Sequence, residues 1–87
     1  MKWGIYRVRD DAIDGFMRPF PAETDAQALR SFADECKNPE TPFAKHPEDY
    51  SLWKVCEITN DSVKDCQEHL GRATSFVEYK VEAVNAN

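Results

Sequence analysis

The sequence lacks a long apolar run. No stretch approaches the roughly 20 apolar residues of a transmembrane helix, and the opening residues, MKWGIYRVRDD, lack the apolar segment of a signal peptide. We therefore expect neither a membrane span nor export. Glycine is also scarce, with three in 87 residues. No phosphate-binding glycine loop, dinucleotide fingerprint or nucleophile elbow is present, and we predict that the protein is not an enzyme.

The chain has fewer basic than acidic residues. The chain has 16 Asp and Glu against 11 Lys and Arg, for a net charge of −5. It therefore has no overall field that would attract nucleic acid. Residues 1–23 are nevertheless neutral, with four basic and four acidic side chains, and the excess of acid falls in residues 24–87. Any basic surface is expected to be local and near the N-terminus.

The cysteines do not suggest a disulfide framework or a metal site. Cys36, Cys56 and Cys66 are odd in number and widely spaced, so free thiols are expected. Cys66-x-x-His69 has the spacing of metal ligands, but a structural zinc site usually has two close pairs. A nucleophilic Cys66 would need His69 beside it on a helix, whereas this segment begins as a strand. We predict no metal and no cofactor.

Alternating apolar residues predict strands over residues 2–9, 16–20, 50–59 and about 63–68. In the first strand Tyr6 and Val8 are expected to face the core, and the other side carries Trp3, Ile5, Arg7 and Arg9. Pro19 cannot donate a ladder hydrogen bond, so the second strand is expected at an edge or irregular. In the third strand one face is predicted to hold Tyr50, Leu52, Lys54, Cys56 and Ile58, and the other Trp53, Val55 and Glu57.

One helix is predicted between Thr24 and Pro39. Thr24 and Gln27 fit a capping box, and helical spacing places on one face Ala28, Leu29, Phe32, Ala33 and Cys36. Residues 38–49 contain three prolines and predict a loop, the segment from Leu70 is short helical or mixed, and residues 80–87 are expected to fray. The prediction is a single α+β domain over residues 1–87, with a β-β-α-β-β order and a small antiparallel sheet of about four strands under one main helix.

Three segments carry a resemblance to a known family. The helix entry contributes Pro19, Phe20, Thr24, Ala28, Arg30 and Phe32; the loop and third strand contribute Asn38, Pro39, His46, Pro47, Glu48, Asp49, Tyr50 and Leu52; the third segment is Ala73-Thr74-x-Phe76-Val77. In these positions the chain resembles the small nonstructural protein of gokushovirus-type microviruses, phages with a small circular single-stranded DNA genome. It departs from the family's D-x-x-T-G turn, with Asn60-Asp61-Ser62-Val63-Lys64 in its place.

The resemblance implies a role in single-stranded genome synthesis or its coupling to packaging, in the cytoplasm of the bacterial host. DNA binding is part of that expectation, and no catalytic residue carries over. Candidate contacts to single-stranded DNA are basic or aromatic residues of the predicted sheet and its N-terminal flank: Lys2, Trp3, Arg7, Arg9, Arg18 and Lys54. The competing interpretation is that Trp3, Ile5 and Phe16 pack under the C-terminal segment or against a second subunit.

A second function remains open, that of a protein-interaction module docking on the replication initiator or on capsid assembly proteins without touching DNA. Its candidate surface is the proline-pinned loop that contains His46, Glu48, Asp49 and Tyr50. The same loop residues could instead serve only to shape the loop. Because one helix covers one face of a small sheet, Trp3 and Ile5, or Trp53 and Val55, would be exposed on the other, and we predict a homodimer.

Overall fold

The computed structural model describes residues 2–77, so the fraying predicted for residues 80–87 lies outside the described part of the chain. The strands are β1 (Trp3–Asp10), β2 (Gly15–Phe16), β3 (Phe20–Ala22), β4 (Tyr50–Ile58) and β5 (Val63–Arg72). The helices are α1 (Asp25–Lys37) and α2 (Pro42–Lys45), and 3-10 turns cover Pro47–Asp49 and Ala73–Ser75.

The strands form one antiparallel sheet in the order β2-β1-β4-β5, and β3 also pairs with β1. The predicted α+β class is confirmed, with five strands in residues 2–77. The predicted second strand is divided in two, because Pro19 cannot donate to the ladder. Its first part pairs with Arg9 and Asp10, and its second part pairs with Gly4, Ile5 and Tyr6.

Helix α1 begins and ends where the sequence predicts. The Thr24 hydroxyl accepts a hydrogen bond from the Gln27 amide at 3.1 Å. The Gln27 side chain accepts from the Glu23 amide at 3.0 Å, one residue before the amide that a capping box usually uses. At the other end the Asn38 amide donates to the Glu35 carbonyl, and Pro39 follows. The apolar stripe of the helix faces the sheet and buries Ala28, Phe32 and Cys36.

The core lies between α1 and one side of the sheet. Phe32 is at its centre, 5.6 Å from Phe43 and 5.9 Å from Phe76 between ring centroids. Phe43 comes from α2, within the segment predicted to be a loop. That segment forms a helical turn because Pro42 occupies its first position and the Thr41 hydroxyl accepts from the Ala44 amide. The turn brings an additional aromatic ring into the core.

A bulge in β4 changes which of its side chains lie on each face of the sheet. Ile5 lies opposite Cys56 and Tyr6 lies opposite Lys54, so Val55 is an extra residue with no partner on β1. The alternation beyond Val55 is therefore reversed. The prediction that Cys56 and Ile58 share the face of Tyr50 and Leu52 is wrong, since they pair with Ile5 and Trp3 on the opposite face.

Strand β5 is longer than predicted and continues to Arg72 instead of ending near residue 68. The strand is irregular at two places. Gln67 lies in the left-handed region at φ 76°, and the pairing with β4 shifts register between Leu52 and Trp53 of β4. The hairpin turn that joins β4 to β5 closes without glycine. In it the Thr59 hydroxyl accepts from the Ser62 amide at 3.2 Å, and the Thr59 amide donates to the Ser62 carbonyl at 2.9 Å.

Candidate nucleic-acid interface

The side of the sheet turned away from α1 is called the open face. The helices and the buried core of residues 2–77 lie on the other side. Cross-strand neighbours on one face of a sheet stand about 5 Å apart. The strand registers produce two adjacent rows on the open face, which are Phe16–Arg9–Ser51–Arg72 and Arg7–Trp53–His69. The aromatic and basic members of these rows form the basic–aromatic end: Arg7, Arg9, Phe16, Trp53, His69 and Arg72.

Arg7 is stacked on an aromatic ring. Its guanidinium carbon lies 3.6 Å from the centroid of the Phe16 ring, a cation–π geometry. Its Nε atom is buried and has no hydrogen-bond partner among residues 2–77. The stack therefore holds the Arg7 side chain in place without neutralising its charge.

Trp53 occupies the middle of its row. Its indole nitrogen donates a hydrogen bond to the Ser51 hydroxyl at 3.0 Å, which fixes the orientation of the ring. The His69 ring packs against it edge-on, with centroids 5.1 Å apart and planes at 65°. The oriented indole of Trp53, with the Arg7 cation opposite it on β1, is a suitable platform for a nucleobase.

Arg9 is less available than Arg7. Its Nε donates to Asp11 at 2.9 Å, and Nη2 forms an ion pair with Asp14. Both carboxylates come from the turn between β1 and β2, and hydrogen bonds to Asp14 and Asp11 raise the pKa of Arg9. The Arg9 charge is thus already compensated within the chain.

His69 and Arg72 belong to the basic–aromatic end, although the sequence analysis did not assign them to it. Arg72 is exposed, and its Nη2 donates to the Glu48 carbonyl at 3.3 Å. Both residues were missed because β5 was predicted to stop before them. The pairing of β5 with Trp53 and Ser51 decides their position, and no local sequence pattern encodes that pairing.

The remaining basic residues predicted to contact DNA lie elsewhere. The Lys54 side chain is only 8% exposed and stands on the helix side of the sheet. Lys2 lies near Glu57, with a distance of 3.9 Å between Nζ and Oε2. Arg18 lies in the β2–β3 connection, on the rim of an apolar cavity of about 240 Å³ that reaches Phe32 and Phe43. None of these three extends the rows of the open face.

Lys54 instead belongs to a polar cluster at the start of α1. Its ammonium group lies 3.0 Å from Asp25 Oδ1 and 2.5 Å from Glu57 Oε2. The Tyr6 hydroxyl donates to the same Asp25 oxygen at 2.6 Å. Gly4 makes this possible, because a Cβ atom at that position would overlap the Tyr6 hydroxyl. The cluster sets one ammonium against two carboxylates, with Lys2 3.9 Å from Glu57 as a second cation, and it fastens β1 and β4 to the helix.

The cluster shifts the pKa values of its members in opposite directions. Hydrogen bonds from Tyr6 and Lys54 lower the pKa of Asp25 against the opposing effect of burial. Lys54 likewise lowers the pKa of Glu57. The pKa of Lys54 is raised, first by its hydrogen bond to Glu57, and the pKa of Tyr6 is raised by burial and by its bond to Asp25. Lys54 therefore remains charged and engaged at neutral pH.

The predicted partner loop has structural contacts of its own. His46 ends α2 with its amide donating to the Pro42 carbonyl at 2.8 Å. The Asp49 carbonyl accepts from the Asp11 amide at 2.8 Å, and the Glu48 carbonyl accepts from Arg72. Tyr50 is buried, with its ring 4.8 Å from that of Phe43. The loop thus braces the outer edge of the basic–aromatic end, and His46 and Glu48 keep exposed side chains.

The other half of the open face is apolar. We call it the apolar end, and its members are Trp3, Ile5, Cys56, Ile58 and Val63, joined by the pairings of β1, β4 and β5. Trp3 is 36% exposed and Val63 is 66% exposed. Asp65, opposite Cys56, is its acidic neighbour. The open face therefore changes character along the strands, from apolar near Trp3 to basic and aromatic near Trp53.

Cys66 and His69 do not form a shared site. Cys66 Sγ lies 3.9 Å from the Lys54 carbonyl oxygen, whereas His69 packs on Trp53. Across residues 2–77 no group of three or more His, Cys, Asp or Glu side chains is placed to hold a metal ion. Within the same stretch no helix is long and apolar enough to cross a bilayer. The open face combines aromatic rings with basic side chains, which is the chemistry of a binding surface.

The fold and this surface define a small α+β domain that leaves one face of its sheet without a covering helix in residues 2–77. The sequence model of the family described as Phage ORF5 protein matches residues 3–76, and the chain belongs to that family. No curated protein matches the chain significantly. No solved structure does so either.

Proposed function

We propose that this phage protein is a non-enzymatic accessory factor that binds single-stranded DNA during genome synthesis or packaging. The observation that carries the proposal is the basic–aromatic end, where Arg7 on Phe16 stands beside Trp53 and His69. The resemblance to the gokushovirus nonstructural protein supplies the second support, and on its basis we propose that the protein acts in the cytoplasm of the infected bacterium.

The side chains of the basic–aromatic end are suited to binding single-stranded DNA. A base stacked on an aromatic ring contributes roughly 1–3 kcal/mol, and flanking cations pair with phosphates. The Trp53 side chain is half-buried. Trp53 offers the ring, while Arg7 and Arg72 offer the cations from the strands on either side of it. Within residues 2–77 the surface is one face of a sheet and presents no helix to a duplex groove. We therefore expect binding to unpaired bases in preference to duplex DNA.

Fluorescence anisotropy of a labelled single-stranded oligonucleotide across a salt series tests the proposal. Each phosphate contact contributes about 0.7 to the slope of log K against log salt for a single strand. Arg7→Ala should lower the slope by about that amount. Arg9→Ala should lower it less, because Asp11 and Asp14 already compensate the Arg9 charge.

The matched control is Arg30→Ala, since Arg30 is an exposed arginine on α1, away from the open face. Both tryptophans of the chain, Trp3 and Trp53, lie on the open face. Intrinsic fluorescence quenching therefore reports binding at that face directly. The proposal fails if the anisotropy does not rise at low salt, or if Arg30→Ala and Arg7→Ala change the slope equally.

The negative net charge of the chain favours a second candidate function. The net charge is −5, and two carboxylates already engage Arg9, so the surface could instead bind a protein of the phage replication or capsid machinery. A protein partner would bury the aromatic rings with weak dependence on salt. Absence of oligonucleotide binding together with a normal fold would support this candidate.

We also propose that the protein is a homodimer joined through the apolar end. Trp3 and Val63 are exposed there, and the five members of the apolar end carry no formal charge, so a second copy could bury this apolar area with Asp65 at its border. A two-fold contact at the apolar end would leave the basic–aromatic end of each copy free. The dimer and the DNA-binding proposal are therefore compatible.

A further inference from the structure

We propose that His69 is a pH-dependent phosphate contact of the basic–aromatic end, so that single-stranded DNA binding strengthens as the imidazole gains a proton. The inference deepens the proposed function and rests on it. It begins from the row Arg7–Trp53–His69, in which three neighbouring strands place a guanidinium, an indole and an imidazole side by side.

The position of His69 suits this role. Its ring packs edge-on to Trp53 at 5.1 Å, so a base stacked on the indole would bring its backbone next to the imidazole. The side chain is exposed and can therefore reach a phosphate. Histidine side chains ordinarily change charge between about pH 5 and pH 8. Arg7 supplies a permanent charge on one side of Trp53, and His69 would supply a conditional one on the other.

The groups around His69 on the open face are few. Strand β4 presents Trp53, the Ser51 hydroxyl and, farther along, the thiol of Cys56. Strand β1 presents Arg7, beyond Trp53. On its own strand the open-face neighbours are Asp65 towards the hairpin turn and Arg72 towards the other end. In residues 2–77 no carboxylate makes an ion pair with His69.

The test is the salt dependence of oligonucleotide binding at about pH 8 and about pH 5.5, which bracket the usual histidine titration. One added phosphate contact should steepen the slope by about 0.7, which is roughly an eightfold gain in affinity at about 50 mM salt. Wild-type protein should show this gain on acidification, and His69→Gln should not. His69→Lys, with a permanent charge, should hold the steeper slope at both pH values.

The matched control is His46→Gln, because His46 is the other histidine of the chain and lies in the loop after α2. This variant should keep the wild-type pH dependence. A gain that persists in His69→Gln would overturn the inference, since acid would then be acting at another group. Binding with the same slope at both pH values would overturn it too, while leaving the proposed function intact. No binding at either pH would overturn both.

Discussion

Replacing Lys54 by Met tests whether this lysine serves the fold or the DNA. Methionine keeps most of the length of the side chain and removes its charge. The two ion pairs to Asp25 and Glu57 would be lost, while the hydrogen bond from Tyr6 to Asp25 would remain. The oligonucleotide salt slope should not change, because Lys54 stands on the helix side of the sheet.

The expected loss of stability follows from the burial of the partners. Removing one member of a fully buried ion pair costs about 3–5 kcal/mol. The Asp25 and Glu57 side chains are 43% and 28% exposed, so water can solvate much of the charge that Lys54 leaves behind. We therefore expect Lys54→Met to lower the free energy of unfolding by about 1–2 kcal/mol at neutral pH. Urea denaturation followed by circular dichroism measures it, with Lys45→Met on the exposed end of α2 as the control.

The loss of unfolding free energy in Lys54→Met should become smaller as the pH falls. Lys54 lowers the pKa of Asp25 and of Glu57 in the folded state. A carboxyl group with a lowered pKa stabilises the fold above its unfolded value of about 4, and that contribution disappears as the pH falls through the folded value. The pKa of Lys54 is raised, so its own contribution is complete below about 10.5. The gap between wild type and Lys54→Met should shrink below about pH 4, and an equal gap at pH 7 and pH 3 would refute an electrostatic role.

Two further predictions concern the core and the dimer. Phe32→Ala should cost about 3–5 kcal/mol in a denaturant titration, because the ring is buried between Phe43 and Phe76, whereas Thr24→Ala removes one cap hydrogen bond and should cost about 1 kcal/mol; the reverse ranking would contradict the assigned helix face. In sedimentation equilibrium the wild-type chain should have twice the 10.0 kDa mass of one copy, and Trp3→Glu should favour the single copy; a wild-type mass of one copy would exclude the dimer.

Helix α1 and strands β1 and β4 could be predicted because their signals are local. Helix α1 follows from the cap at Thr24, the apolar stripe through Phe32 and the stop at Pro39, all within one short segment. Strands β1 and β4 follow from alternation, and the inward positions of Tyr6 and Val8 are confirmed by their burial. Backbone capping and side-chain period act over a few residues, so one chain segment contains the information they need.

Which side chains share a face of the sheet depends on how the strands pair in the folded protein. The extra residue at Val55 reverses the alternation of β4, and no pattern within that strand reveals where its partner skips a residue. The same pairings place His69 and Arg72 beside Trp53 and Ser51, and they place Lys54 against Asp25 instead of on the open face. A sheet surface is assembled from residues distant in sequence, so its chemistry depends on register between strands, which is fixed only when the strands pack together.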